Sequence, residues 1–129
     1  MEIEYINSDE APIAFGPYSQ ATRVGDMIFC SGQAPIDPAT GKLVDGDIKD
    51  QTRQVFRNLD AVLRAAGSDI SRIMKTSVFI HDWNDFPGVN EIFGEVFGDK
   101  GPARSTIRGD RWPEGALVAI EAIAVVRSK

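Results

Sequence analysis

Leu-Val-Ala-Ile-Glu-Ala-Ile-Ala-Val-Val, residues 117–126, holds a single carboxylate, Glu121, inside an otherwise apolar run. Ten residues rich in Val and Ile are too few to cross a bilayer as a helix. They suit a strand buried on both faces. In an extended chain Val118, Ile120, Ala122 and Ala124 point one way, and Leu117, Ala119, Ile123 and Val125 the other. An unpaired carboxylate in such a strand would cost several kcal/mol or take up a proton. Glu121 is therefore the first residue that needs a chemical reason.

Working outward, the spacing predicts short elements around this strand. Residues 2–6 read as an edge strand. Gly16-Pro17 forces a turn that exposes Tyr18. Ala21–Val24 and Met27–Ser31 flank Gly25-Asp26 as a tight hairpin. Gln33–Val44, with Pro35, Pro38 and Gly41, reads as a loop. Asp47 is an N-cap for a helix from about Ile48 to Ala66, closed by Gly67, with Val55, Leu59, Val62 and Leu63 on one stripe. Ile73–Ile80 is a strand by β-branched content. Asn84 or Asp85 caps a second helix to Phe97, with Phe86, Val89, Phe93 and Val96 inward and Gly98 as its stop. Ala103–Gly109 and Leu117–Arg127 are two further strands, read as a hairpin about Pro113-Glu114-Gly115.

The order is β-β-β-α-β-α-β-β. Two helices cannot cover both faces of a sheet of about six strands, so the fold class is α+β with both helices on one face. The other face then needs a partner, and self-association supplies one.

Composition narrows the function. The 129 residues are 43% apolar, enough for one domain, residues 1–129, with its own core. A net charge of −5 repels nucleic acid and anionic membranes. One cysteine, Cys30, excludes an intramolecular disulfide and suits a reducing compartment. Met-Glu-Ile-Glu-Tyr at the start lacks the basic and apolar regions of a secretion signal, so the expected location is cytoplasmic. With a single histidine, His81, there is no metal-ligand set and no Ser-His-Asp triad. No glycine-rich phosphate motif occurs, so no nucleotide cofactor is expected.

Few residues remain that could do chemistry. Glu121 is either a structural ion-pair partner or a carboxylate that activates water in a cleft. Arg104, in Gly-Pro-Ala-Arg-Ser-Thr at 101–106, offers a guanidinium fork that matches a carboxylate, whether that of Glu121 or of a ligand. Tyr18 either covers a pocket or packs. Ser31-Gly32-Gln33 ends a strand where glycine permits close backbone approach or merely marks a turn. Asn90, on the apolar side of the second helix, reads as a buried polar group.

Gly-Pro-Tyr-Ser-Gln at 16–20, Ser-Gly-Gln at 31–33, Gln-Thr at 51–52, Asn58-Leu59, Lys-Thr at 75–76, Asn-Asp-Phe at 84–86, Val89-Asn90-Glu91, Pro-Ala-Arg-Ser-Thr at 102–106 and Ile-Glu-Ala-Ile-Ala at 120–124 together resemble the RidA/YjgF family of reactive-intermediate deaminases, also labelled endoribonuclease L-PSP. The order and spacing match over essentially the whole chain. The resemblance implies a chorismate-mutase-like α+β fold with a mixed sheet, and a homotrimer with clefts between subunits. It implies cofactor-free hydrolysis of 2-imino acids and their enamine tautomers, such as 2-aminoacrylate, 2-iminopropionate and 2-iminobutyrate, to 2-oxo acids and ammonia. By the motif matches, Arg104 takes the substrate carboxylate, Glu121 positions water, and Tyr18, Ser31, Gly32, Asn90 and Thr106 line the site.

Thr106 stands where many members carry Cys, and Trp83 and Trp112 are bulky local departures that bear on substrate size. Two alternatives come from other classes: a trimeric module that binds small carboxylates or a partner without turnover, and a ribonuclease, against which the acidic pI of about 4.8 weighs. A third alternative is a deaminase of pyrimidine or aromatic degradation.

Overall fold

Asp47 opens the first helix through a reciprocal cap. Its carboxylate accepts from the Lys49 and Asp50 N–H groups at 3.0 and 3.1 Å, and the Asp50 carboxylate accepts from the Asp47 N–H at 3.1 Å. Donors that a helix start leaves orphaned are thereby satisfied. In the structure, a computed structural model that describes residues 1–110 and 112–127, this helix, α1, spans Ile48–Ala65. It leaves helical geometry at Gly67, whose φ of +89° suits a residue without a Cβ. The second helix, α2, spans Phe86–Phe97 and stops at Gly98. Asp85 occupies its N-cap position without a side-chain bond; the capping falls to Asp82, which accepts from the Asn84 N–H at 2.9 Å one turn earlier.

Among the described residues there are eight strands: β1 Glu4–Ile6, β2 Ala21–Val24, β3 Met27–Gln33, β4 Ile36–Asp37, β5 Lys42–Leu43, β6 Ile73–Ile80, β7 Ala103–Arg108 and β8 Val118–Val125. Six form one sheet in the order β1-β2-β3-β8-β6-β7. It is mixed, because β6 and β7 run parallel across the α2 crossover while the other pairs are antiparallel. The architecture is the expected α+β layer.

Two details differ from the sequence reading. The segment 33–44, read as a loop, contains the two-residue strands β4 and β5, paired with each other outside the main sheet. The fully buried Asn58 ties it to α1: its Nδ2 donates to the carbonyls of Ala34 and Ile36 at 3.1 and 2.9 Å, and its Oδ1 accepts from Gln54 Nε2 at 2.9 Å. Strands this short leave no hydrophobic period to read. The expected hairpin between β7 and β8 does not form either, since β6 lies between them. The central place goes to apolar β8, while β7, with Arg104, Ser105 and Arg108, takes the edge, where polar side chains can meet water.

Both helices cover one face of the sheet. Ile28, Val78, Ile80, Val118, Ile120 and Ala124 on that face are fully buried against Val55, Leu59, Leu63, Val89 and Ile92. The opposite face is open: Phe29 and Ile107 are exposed and Ile123 and Val125 half-buried. Of the two apolar faces of β8, one is covered within the chain and the other is left open, as helices on one side of the sheet imply. Glu121 lies on the open face and is exposed, so the burial inferred for its carboxylate does not hold in the single chain. Among the described residues, no helix is long and apolar enough to cross a membrane.

Candidate functional site

Strand register decides where the candidate side chains go. Arg104 of β7 pairs with Thr76 of β6, which pairs with Ala122 of β8. The next row is Ser105, Ser77 and Glu121. Neighbouring rows point to opposite faces. Thr76 and Ala122 are buried on the helix side, so Arg104 lies on that face and Glu121 on the other. Arg104 and Glu121 are not partners within one chain, and the ion pair between them that the sequence left open does not form.

Around Arg104 a basic half-site takes shape at the β7 edge. The guanidinium, half-buried, sits over the Phe93 ring at 4.7 Å and the Phe86 ring at 5.4 Å from the centroids. Among the described residues it makes no salt bridge. Asn90 follows Phe86 by four positions and precedes Phe93 by three, so helical geometry puts it on the same stripe of α2. Asn90 is exposed there, which corrects its reading as a buried polar group. Thr106 shares the Arg104 face of β7, two residues along. Trp83, half-exposed, packs edge-on against Phe86 at 5.7 Å and extends the aromatic rim of this half-site.

Glu121 anchors an acidic half-site on the open face. It lines a recess of about 190 Å³ with Phe29, Lys75, Ser77 and Ile123. Lys75 Nζ donates to Ser105 Oγ at 3.1 Å. The pairing of β3 with β8 slips between Cys30 and Gln33, so the bulge Ser31-Gly32 stands opposite Glu121. Ser31 is fixed by its Oγ donating to the Ser19 carbonyl at 2.7 Å and its N–H to the Gln20 carbonyl at 2.9 Å. Those bonds draw in the turn that carries Tyr18, whose hydroxyl accepts from the Phe15 N–H at 3.2 Å. Tyr18, Ser31 and Phe29 line an adjoining recess of about 410 Å³. Gly32 is exposed, and a Cβ built on it would meet nothing within 4 Å, so the chain itself does not require glycine there.

Lys75, Ser77 and Phe29 were not singled out from the sequence as site residues. The signal was present in the alternation of Ile-Met-Lys-Thr-Ser-Val-Phe-Ile, which sets Lys75, Ser77 and Phe79 opposite Thr76, Val78 and Ile80. Cys30 also borders the recess, and burial pushes its thiol up to about 12. It stays protonated near neutrality. Trp112 lies against Phe79 at 5.9 Å, away from the Arg104 rim.

The model of the family described as Endoribonuclease L-PSP matches residues 8–126. A RutC family protein of Pyrococcus horikoshii is 49% identical over 94% of this chain and 96% of its own. The mouse 2-iminobutanoate/2-iminopropanoate deaminase is 44% identical over 93% of this chain and 89% of its own. The crystal structure of E. coli TdcF with bound serine superposes with a TM-score of 0.88 at 41% identity, covering 97% of this chain and 99% of that one.

Proposed function

The chain belongs to the Endoribonuclease L-PSP family, that of the RidA/YjgF proteins, and from that premise we propose that it hydrolyses small 2-imino acids to 2-oxo acids and ammonia. One observation carries the reading: a guanidinium fork with no salt bridge among the described residues and an exposed carboxylate, the two groups such a hydrolysis needs, stand on opposite faces of one sheet. The basic half-site of one copy completes the acidic half-site of the next. A contact between two different surfaces is heterologous and makes a ring where the rotation between copies closes, which for this chain we take to be a homotrimer with three clefts. The open sheet face with Phe29 and Ile107 is the apolar surface that such a ring would cover.

In the assembled cleft, Arg104 of one subunit holds the substrate carboxylate through paired N–H donors, which fixes C2. The protonated imine is already electrophilic there. Glu121 of the neighbour accepts a proton from water as the new C2–O bond forms and the C=N π pair moves onto nitrogen, and it returns that proton to the nitrogen of the carbinolamine. The carbinolamine nitrogen is protonated, the C–N bond breaks with its electron pair leaving on ammonia, and the hydroxyl loses its proton to give the 2-oxo acid. Asn90, Thr106, Tyr18, Ser31 and Gly32 line the substrate on the two sides. The mouse relative's name and the serine bound to E. coli TdcF, a ligand with the same α-carboxylate, support this assignment.

The test generates 2-iminobutyrate in situ with a threonine dehydratase and follows imine loss. Added protein is expected to shorten the imine's lifetime in proportion to its concentration. An unchanged lifetime alongside measurable binding of 2-oxobutyrate would make the chain a binding module instead. Cleavage of RNA with the imine untouched would restore the ribonuclease reading. Sedimentation at micromolar concentration is expected to give a mass near three times the 14.1 kDa of one chain. A mass near one chain would remove the shared cleft.

A further inference from the structure

Arg104 projects from an edge strand, where a long flexible side chain would ordinarily sample many rotamers. Among the described residues no carboxylate pins it. What surrounds it is aromatic: Phe93, 8% exposed, under the guanidinium at 4.7 Å, and Phe86 at 5.4 Å. Neither ring is loose. Phe93 is held edge-on by Phe56 at 5.2 Å and tilted against Phe97 at 5.6 Å, while Phe86 is braced by Trp83 at 5.7 Å. A cation over aromatic faces is attracted by the ring quadrupole without using its N–H donors. The donors therefore remain available at the edge of the guanidinium plane, where a carboxylate binds. An acidic partner would consume that valence and repel an anionic ligand; an aromatic one does neither.

We propose that Phe93, assisted by Phe86, is the positioning residue of the carboxylate-binding subsite, holding the Arg104 guanidinium at the β7 edge for the incoming α-carboxylate. The proposal rests on the carboxylate role given to Arg104 above. It explains why two aromatic residues seven apart on α2 face a strand arginine: together they form a platform for it as well as core. Phe93 does not touch substrate and acts only through Arg104.

The test compares Phe93→Leu, Phe93→Tyr and Phe86→Leu with the unmodified protein, reading kcat and KM for 2-iminobutyrate, Kd for 2-oxobutyrate by calorimetry, and Tm. Leucine keeps apolar bulk but has no quadrupole. Phe93→Leu is expected to raise KM and Kd roughly two- to thirtyfold, with kcat nearly constant, because a ground-state contact to the carboxylate is lost equally in the transition state. Phe93→Tyr, which keeps the ring face, is expected to restore both constants to within about twofold. Phe86→Leu shows the same split with a smaller shift, and serves if Phe93→Leu does not fold. A lowered Tm with KM and Kd unchanged in a leucine variant that folds overturns the platform. So does a tyrosine variant as weak as leucine. If the unmodified protein binds 2-oxobutyrate in a Phe93-dependent way but leaves the imine intact, the hydrolase reading fails and the platform stands. If it binds no 2-oxobutyrate, the platform falls.

Discussion

Glu121→Gln is expected to slow imine hydrolysis roughly 10²–10⁴-fold, the usual contribution of a general acid–base group. The substitution keeps shape and hydrogen-bonding capacity while removing the basic oxygen. In the single chain Glu121 is exposed on the open face of β8 and has no ion-pair partner among the described residues. In the proposed cleft it faces water and substrate, so its loss should leave Tm almost unchanged, with stability moved by about 0.5 kcal/mol or less. Binding of 2-oxobutyrate should persist or tighten, since a negative charge near the cleft is gone. Turnover and Tm on the same variant settle the role. Intact turnover with a lowered Tm would make Glu121 a structural group of the subunit interface, and the mechanism would be wrong.

Arg104→Lys is expected to cost at least about 1.5–3 kcal/mol of transition-state stabilisation, or roughly 10–150-fold in kcat/KM, with the assembly still folded. Lysine keeps the charge but loses the planar fork that meets both carboxylate oxygens. Its ammonium is a point charge without the planar group that the guanidinium presents to Phe93 and Phe86. Full activity in the folded variant would take Arg104 out of the carboxylate role. The half-site geometry adds a sharper outcome. Subunits carrying Arg104→Lys and subunits carrying Glu121→Gln, dissociated together and reassembled, should recover about a quarter of the unmodified sites, because half the basic and half the acidic half-sites are intact in random heterologous rings. No recovery in mixed assemblies of confirmed composition would overturn the cleft shared between subunits.

The sequence by itself determined the local elements, because each is encoded within a turn or two of its own residues. Asp47 with Gly67 bounded α1, the apolar positions at helical spacing named its buried stripe, and the Gly25-Asp26 turn set the β2–β3 hairpin. It also determined the fold class, because two helices and a strand apolar but for Glu121 admit few layers. The candidate residues Arg104 and Glu121 stood out because each is a charged group set among apolar or small neighbours in a strand.

Only the tertiary structure decided strand order, which depends on contacts between residues far apart in the chain. It set β6 between β7 and β8, where local reading had made a hairpin. It gave β8 one covered face, so Glu121 meets solvent in the single chain. It also joined Phe86 and Phe93 to Arg104, since a helix stripe says which residues share a face but not what that face meets. Above all, it put Arg104 and Glu121 in adjacent rows of one sheet. Successive residues of a strand alternate faces, so a shift of one row suffices to send two side chains to opposite sides of the molecule.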